Sequence, residues 1–276
     1  MSYNKIQKTS ALVIAMGITA MATSSANAEL LTGLLYGQNT LETFDSAAPQ
    51  TILNSVGVSG LSSDTLVGID YLGSTLYGVG SGGHLYTINP VSGSVSSTVY
   101  FGSLSGTYFG MDASSAGIHI VSDSGLNLLL NTSGGTVSTG TLSPTGLNVS
   151  AVASYNGNTY AIGKDLSSQL GTLYTLSGNA LTSVGGLQYQ ISRVNGFDIS
   201  SGGYAYLVSE VGSGGSSPEL FTVNLGTGIA SLAGAFNLES AQAIGGLTVN
   251  PVPEPATSAM IILGGAGVFA LIRRRK

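Results

Sequence analysis

LVGIDYLGSTLYGVGSGGHLYTIN, residues 66–89, contains the pattern that decides the fold. It opens on Gly68-Ile69-Asp70 and continues into an apolar β-type run, Thr75 to Val79. A glycine-rich bend then leads to a second run, Leu85-Tyr86-Thr87-Ile88, which ends on Asn89 ahead of the turn at Ser92-Gly93. Asx side chains start such turns and glycine supplies positive φ, so the closing part reads as a β-hairpin. That closing pattern recurs at Leu41-Glu42-Thr43-Phe44-Asp45, Asn127-Leu128-Leu129-Leu130-Asn131, Leu173-Tyr174-Thr175-Leu176-Ser177 and Leu220-Phe221-Thr222-Val223-Asn224. Successive copies end 44, 42, 46 and 47 positions apart, and each is followed by a turn (Pro49, Gly134-Gly135, Gly178-Asn179, Thr227-Gly228).

The opening pattern recurs as well, at Gly110-Met111-Asp112 and Gly196-Phe197-Asp198, with Ala151-Val152-Ala153 in the same place in another copy. Second strands follow at Ile118 to Val121, Thr159 to Ile162 and Tyr204 to Val208. One unit is thus about four short strands in roughly 45 residues, the period and strand count of a β-propeller blade. Five third-strand copies predict an all-β propeller of five four-stranded blades. The first copy has no opening strand before it, whereas Ala243 to Asn250 is an opening strand with no blade after it. Pairing the two would close the ring and remove the open edges.

The ends differ from this body. Lys5 and Lys8, the apolar stretch Ala11 to Met21 and the small-residue site Ala26-Asn27-Ala28 read as a signal peptide over 1–28, to be removed by signal peptidase. The body, 29–250, follows, and the tail occupies 251–276. In the tail, Ala256 to Ile272 form an uncharged run of seventeen residues, followed by Arg273, Arg274, Arg275 and Lys276. Such a run rises about 25 Å as a helix, at the short end of what spans a bilayer. The positive-inside rule would keep the basic tip cytoplasmic.

Only Lys164 and Arg193 are basic between Glu29 and Val252, against twelve acidic residues, a net charge of −10. So acidic a body repels phosphate backbones, which excludes nucleic-acid binding. The absence of cysteine excludes disulfides, thiolate metal sites and cysteine nucleophiles.

Pro253-Glu254-Pro255, the apolar run and the basic tip together resemble the PEP-CTERM sorting tag of Gram-negative bacteria. The resemblance implies recognition and processing by an exosortase, transient inner-membrane anchoring, and then residence at the cell surface or outside it. It also implies association with exopolysaccharide and biofilm. The body from about Leu35 to Asn131 resembles a bacterial family known only as a domain of unknown function, through Leu66-Val67-Gly68-Ile69-Asp70, Leu85-Tyr86-Thr87-Ile88-Asn89 and Val121-Ser122-Asp123-Ser124-Gly125. Members often carry Arg-Pro after the opening Asp-aromatic pair, where this chain has Leu72-Gly73.

Few groups are available for chemistry. Gly78 to Gly83 satisfies G-x-G-x-x-G, but a strand follows it, whereas a dinucleotide site needs a helix there. His84 and His119 fall at different places in successive units, and neither a zinc motif nor a nucleophile elbow occurs. Asp70, Asp112 and Asp198 recur at one position and could ring one mouth of a central channel, where hard oxygen ligands would suit Ca²⁺. The plainer reading is that each caps a turn through nearby backbone N–H groups. No tryptophan is present, and tyrosines such as Tyr71, Tyr77, Tyr86, Tyr108 and Tyr206 supply the aromatic surface. The expectation is a non-enzymatic exported protein without a cofactor. The alternatives are a glycan hydrolase or lyase with its site in the channel, and a calcium-dependent adhesin.

Overall fold

The computed structural model describes residues 28–166, 168–211, 217–238 and 242–251, and of Arg193 and Val194 the backbone alone. The signal up to Asn27, the Pro253–Pro255 motif, the 256–272 helix and the basic tip lie outside the described residues. Among those described, no helix is long and apolar enough to cross a membrane.

The described chain is built from strands alone. Three come first: β1 (Leu30–Leu35), β2 (Thr40–Asp45) and β3 (Ile52–Gly57). Four follow in β4 (Leu66–Leu72), β5 (Thr75–Gly80), β6 (His84–Ile88) and β7 (Val95–Tyr100). The next four are β8 (Phe109–Ser114), β9 (Gly117–Ser122), β10 (Leu126–Leu130) and β11 (Thr136–Thr141). Then come β12 (Leu147–Tyr155), β13 (Asn158–Asp165), β14 (Leu170–Ser177) and the long β15 (Ala180–Ile199). The last are β16 (Ala205–Val211), β17 (Glu219–Val223), β18 (Ala230–Ala235) and β19 (Ile244–Val249).

These strands form antiparallel sheets in the orders β19-β1-β2-β3, β4-β5-β6-β7, β8-β9-β10-β11 and β12 through β18. In the seven-stranded sheet β15 serves twice. Its first part pairs with β14 up to Gln190, and from Ile191 it pairs with β16. Split there, every unit has four strands, and the five sequence copies are each unit's third strand: β2, β6, β10, β14 and β17. The expected pairing of the two ends is present as Leu31↔Val249 through Leu35↔Ile244. Opening strands touch in a cycle, β19 to β4, β4 to β8, β8 to β12, β12 to β15 and β15 to β19, a propeller-like arrangement.

The local reasons are those of the sequence pattern. The Oδ1 atoms of Asn89, Asn131 and Asn224 each accept two N–H groups of the following turn, and Asp45 Oδ1 accepts one. In the remaining copy Ser177 pairs directly with Ala180 around Gly178, whose φ is +56°. The outer strands β3, β7, β11 and β18 are largely exposed, and each carries one exposed large apolar side chain, Leu53, Tyr100, Val137 and Leu232, among mostly small or polar residues.

The core lies between neighbouring units. Val79 and Leu85 of the second meet Phe109, Met111, Ile118 and Ile120 of the third. Tyr206, Val208 and Leu220 of the fifth meet Leu31, Phe44 and Ile244 of the first. The first residue of each opening triplet allows this contact. A Cβ on Gly110 would stand 2.5 Å from Ala151 Cα, and one on Gly196 would stand 2.7 Å from Leu247 Cβ. At that depth the axis encloses only about 10 Å³, no more than one water requires. The channel is closed between its mouths.

Gly110→Ala is therefore expected to cost about 1–3 kcal/mol, the usual penalty of overpacking a filled site. Urea unfolding of the two proteins measures it, and an unchanged midpoint would show that the two strands can part freely.

The carboxylate ring as candidate functional site

Each opening strand presents the third residue of its triplet at one mouth of the axis: Asp70 on β4, Asp112 on β8, Ala153 on β12, Asp198 on β15 and Thr248 on β19. All five are buried. Asp70 Oδ2 accepts the N–H of Ala113 at 2.6 Å, and its Oδ1 accepts the N–H of Tyr71 and the hydroxyl of Thr248. Asp112 Oδ1 and Oδ2 accept the N–H and hydroxyl of Ser154, both at 2.7 Å. Asp198 Oδ2 accepts the N–H of Val249 at 2.6 Å, and Thr248 Oγ1 accepts that of Tyr71 at 3.2 Å.

A rule emerges: the third residue of one opening strand receives the N–H of the residue after the third in the next unit. Ala153 cannot do this, and there the N–H of Ile199 goes to Asp198's own Oδ1. The carboxylates accept backbone N–H groups mainly across units, over 42 to 51 residues of sequence, whereas the plainer sequence reading had each cap a nearby turn. The ring read from the sequence included neither Thr248 nor Ser154. The triplet Gly246-Leu247-Thr248 was the available signal for the first, while the second needed coordinates.

A cavity of about 210 Å³ opens above the ring, lined by Glu29, Asp70, Asp112, Asp198 and Asn250 among others. Burial is the first cause that raises all three aspartates. For Asp70, raised well above its ordinary value, the charges of Asp198 and Asp112 add to it. Asp198 is pushed up to about 7 by burial and by Asp112, against the pull of the Val249 and Ile199 N–H groups. Asp112 rises least freely, since Ser154 and then His119 hold it down. Among the described residues no group of three or more His, Cys, Asp or Glu has the geometry to hold a metal ion.

The remaining sequence candidates lie elsewhere. His119 pairs in register with Asp112 on β9, but its Nε2 hydrogen-bonds to Asn127 Oδ1, so the two share no hydrogen bond. His84 Nδ1 stands 2.9 Å from Asp64 Oδ2, which also accepts the Tyr86 hydroxyl. The glycine-rich motif wraps that carboxylate: the N–H of Gly82 donates to Asp64 Oδ1, and a Cβ at Gly80 or Gly82 would collide with it. Its glycines serve a buried carboxylate of the chain itself. Of the tyrosines, Tyr86 and Tyr206 are core residues, while exposed Tyr36 stacks on Tyr108.

The domain of unknown function DUF4394 matches residues 40–248, from the second strand to the last. The chain belongs to this family. A PEP-CTERM protein-sorting motif matches 251–276, directly after the closing strand, and marks the chain as an exported protein recognised by an exosortase. No curated protein matches it. Among solved structures, a chain of a nidogen/laminin complex has a TM-score of 0.50 at 12% identity, over 81% of this chain and 98% of that one. Hydrazine synthase of Kuenenia stuttgartiensis (TM-score 0.41, 10% identity, 70% and 59% covered) and the dihydro-heme d1 dehydrogenase NirN (0.38, 13%, 76% and 44%) are more distant. The DUF4394 chain spans about three fifths and less than half of these last two. The likeness is one of fold.

Because a raised folded-state carboxylate favours the protonated protein, its stabilisation is full below the unfolded value near 4 and is lost as pH rises through about 7 for Asp198. The melting temperature should therefore rise on acidification from pH 8 to pH 5, and Asp198→Asn should flatten that rise. A scanning-fluorimetry series checks both. Because the carboxylate oxygens are occupied by backbone and hydroxyl donors, millimolar Ca²⁺ added after EDTA should leave the melting temperature unchanged. A shift of several degrees would assign the ring to a metal instead.

Proposed function

We propose that this DUF4394 protein is a non-catalytic component of the cell surface or extracellular matrix, associated with exopolysaccharide. In this reading it is a five-bladed propeller held closed by its own last strand, and it binds or builds structure without turning over a substrate. The observation that carries the proposal is the junction at Asn250. The Asn250 N–H donates to Leu30 O at 2.8 Å, and its Oδ1 accepts the Thr32 hydroxyl at 2.7 Å, one residue before the sorting motif begins. The closing strand and the residue that ties it to β1 therefore stand directly before the tag in sequence, as suits a tag that is processed away from a finished domain. Support for a non-catalytic role comes from the ring, whose carboxylates are taken up by backbone, and from the closed axis.

After transient anchoring in the inner membrane, the body is delivered to the surface. Deleting Arg273 to Lys276, or replacing Pro253-Glu254-Pro255 with alanines, should leave the protein in the membrane fraction or lose it to the periplasm. Fractionation with immunodetection measures this, and unchanged surface delivery would overturn the sorting route.

A further inference from the structure

A second cavity, of about 390 Å³, opens at the other end of β4 and β8 from the carboxylate ring, a size within the range of small-molecule sites. Its walls are Tyr36 at the end of β1, Thr65 and Val67 around the start of β4, Ser81 in the β5–β6 turn, and Thr107 and Phe109 around the start of β8. None of its lining residues is charged, so nothing there pairs with a phosphate or carboxylate. Thr65, Ser81, Thr107 and the Tyr36 phenol place four hydroxyls among aromatic and aliphatic side chains. That surface suits a ligand carrying both C–H faces and many hydroxyls.

The walls are held in place from behind. Asp123 Oδ1 accepts the N–H groups of Thr107 and Tyr108 at 2.8 and 3.2 Å, and the hydroxyls of Ser122 and Ser124 donate to Ser105 O. On the other side the Ser81 N–H donates to Thr65 O at 2.8 Å, and the Thr65 N–H donates to the Ser81 hydroxyl oxygen at 3.2 Å. Asp64 secures the same turn through Gly82. Tyr36 is 37% exposed, its ring lies 5.9 Å from that of Tyr108 at 28°, and its N–H is bonded to Ala243 O. A rigid exposed ring beside fixed hydroxyls costs little ordering on binding.

We propose that this cleft binds one or two rings of a neutral saccharide, stacked on Tyr36 and hydrogen-bonded by Thr65, Ser81 and Thr107. The inference rests on the matrix-associated reading above and gives it a site and a ligand class.

Saturation-transfer NMR on the full-length protein, with maltotriose, cellotriose and mannotriose as neutral probes and tri-galacturonate as the anionic one, tests it. The expected result is transfer to the C–H protons of at least one neutral trisaccharide, with weaker transfer to the anionic one. Tyr36→Ala should weaken affinity about tenfold or more, equivalent to about 1.4 kcal/mol, while Tyr36→Phe stays within a few-fold. Circular dichroism of Tyr36→Ala should match the parent, since the ring is exposed. If that variant does not fold, Thr107→Val takes its place, with the same loss expected. No transfer to any neutral probe, stronger transfer to tri-galacturonate, or equal binding by the folded variants would overturn the site. Those outcomes leave surface delivery of the tag variants unaffected, so the two readings fail separately.

Discussion

The hydrogen bond passed between neighbouring opening strands at four of the five junctions is the interaction on which the rest depends. A glycine two residues before each acceptor lets neighbouring strands approach to van der Waals contact. The acceptor then takes an N–H beside the axis, and a buried N–H left without any partner costs about 1–3 kcal/mol. Approach and acceptor belong to one triplet, so the same three residues set both the distance between units and their register. The apolar clusters between units, such as Val79 and Leu85 against Phe109 and Ile118, are possible only once that register is set.

The ring has an electrostatic cost. Burial raises the proton affinity of all three aspartates, the charges of Asp198 and Asp112 add to this at Asp70 and that of Asp112 at Asp198, and the backbone donors offset it only in part. One unit carries alanine and another threonine, which lowers the charge at the mouth while the cycle of contacts stays complete. Where alanine stands, Asp198 supplies the acceptor for Ile199 itself, so the N–H is satisfied without a fourth carboxylate.

The two ends of the axis differ in chemistry. The acidic mouth is lined by Glu29 and by the last described residues, Asn250 and Pro251. The uncharged cleft with Tyr36 opens at the other end of the same strands. The hydrogen bonds behind the cleft come from Ser122, Asp123 and Ser124, part of the succession by which the family resemblance was read.

Much of the fold was legible because the repeat is local. Asx residues at the end of four of the five third strands and glycine in four of the five following turns are short-range signals, and with the recurring opening triplets they gave the strand count, the five copies and the pairing of the two ends. The continuous β15 was not legible, because nothing near Gln190 distinguishes a strand that changes partners from one that ends. The aspartates were legible as a recurring position, but their partners were not: an acceptor for an N–H more than forty residues away has no local signature. Tyr36 gave no signal at all. It is an isolated aromatic before a glycine, and its place in a cleft depends on residues 65, 81 and 107 arriving from two other units. Periodicity along the chain thus determined which strands exist and in what order they close. What each side chain faces, and so where a ligand can sit, was decided only when the units packed, because that depends on groups distant in sequence.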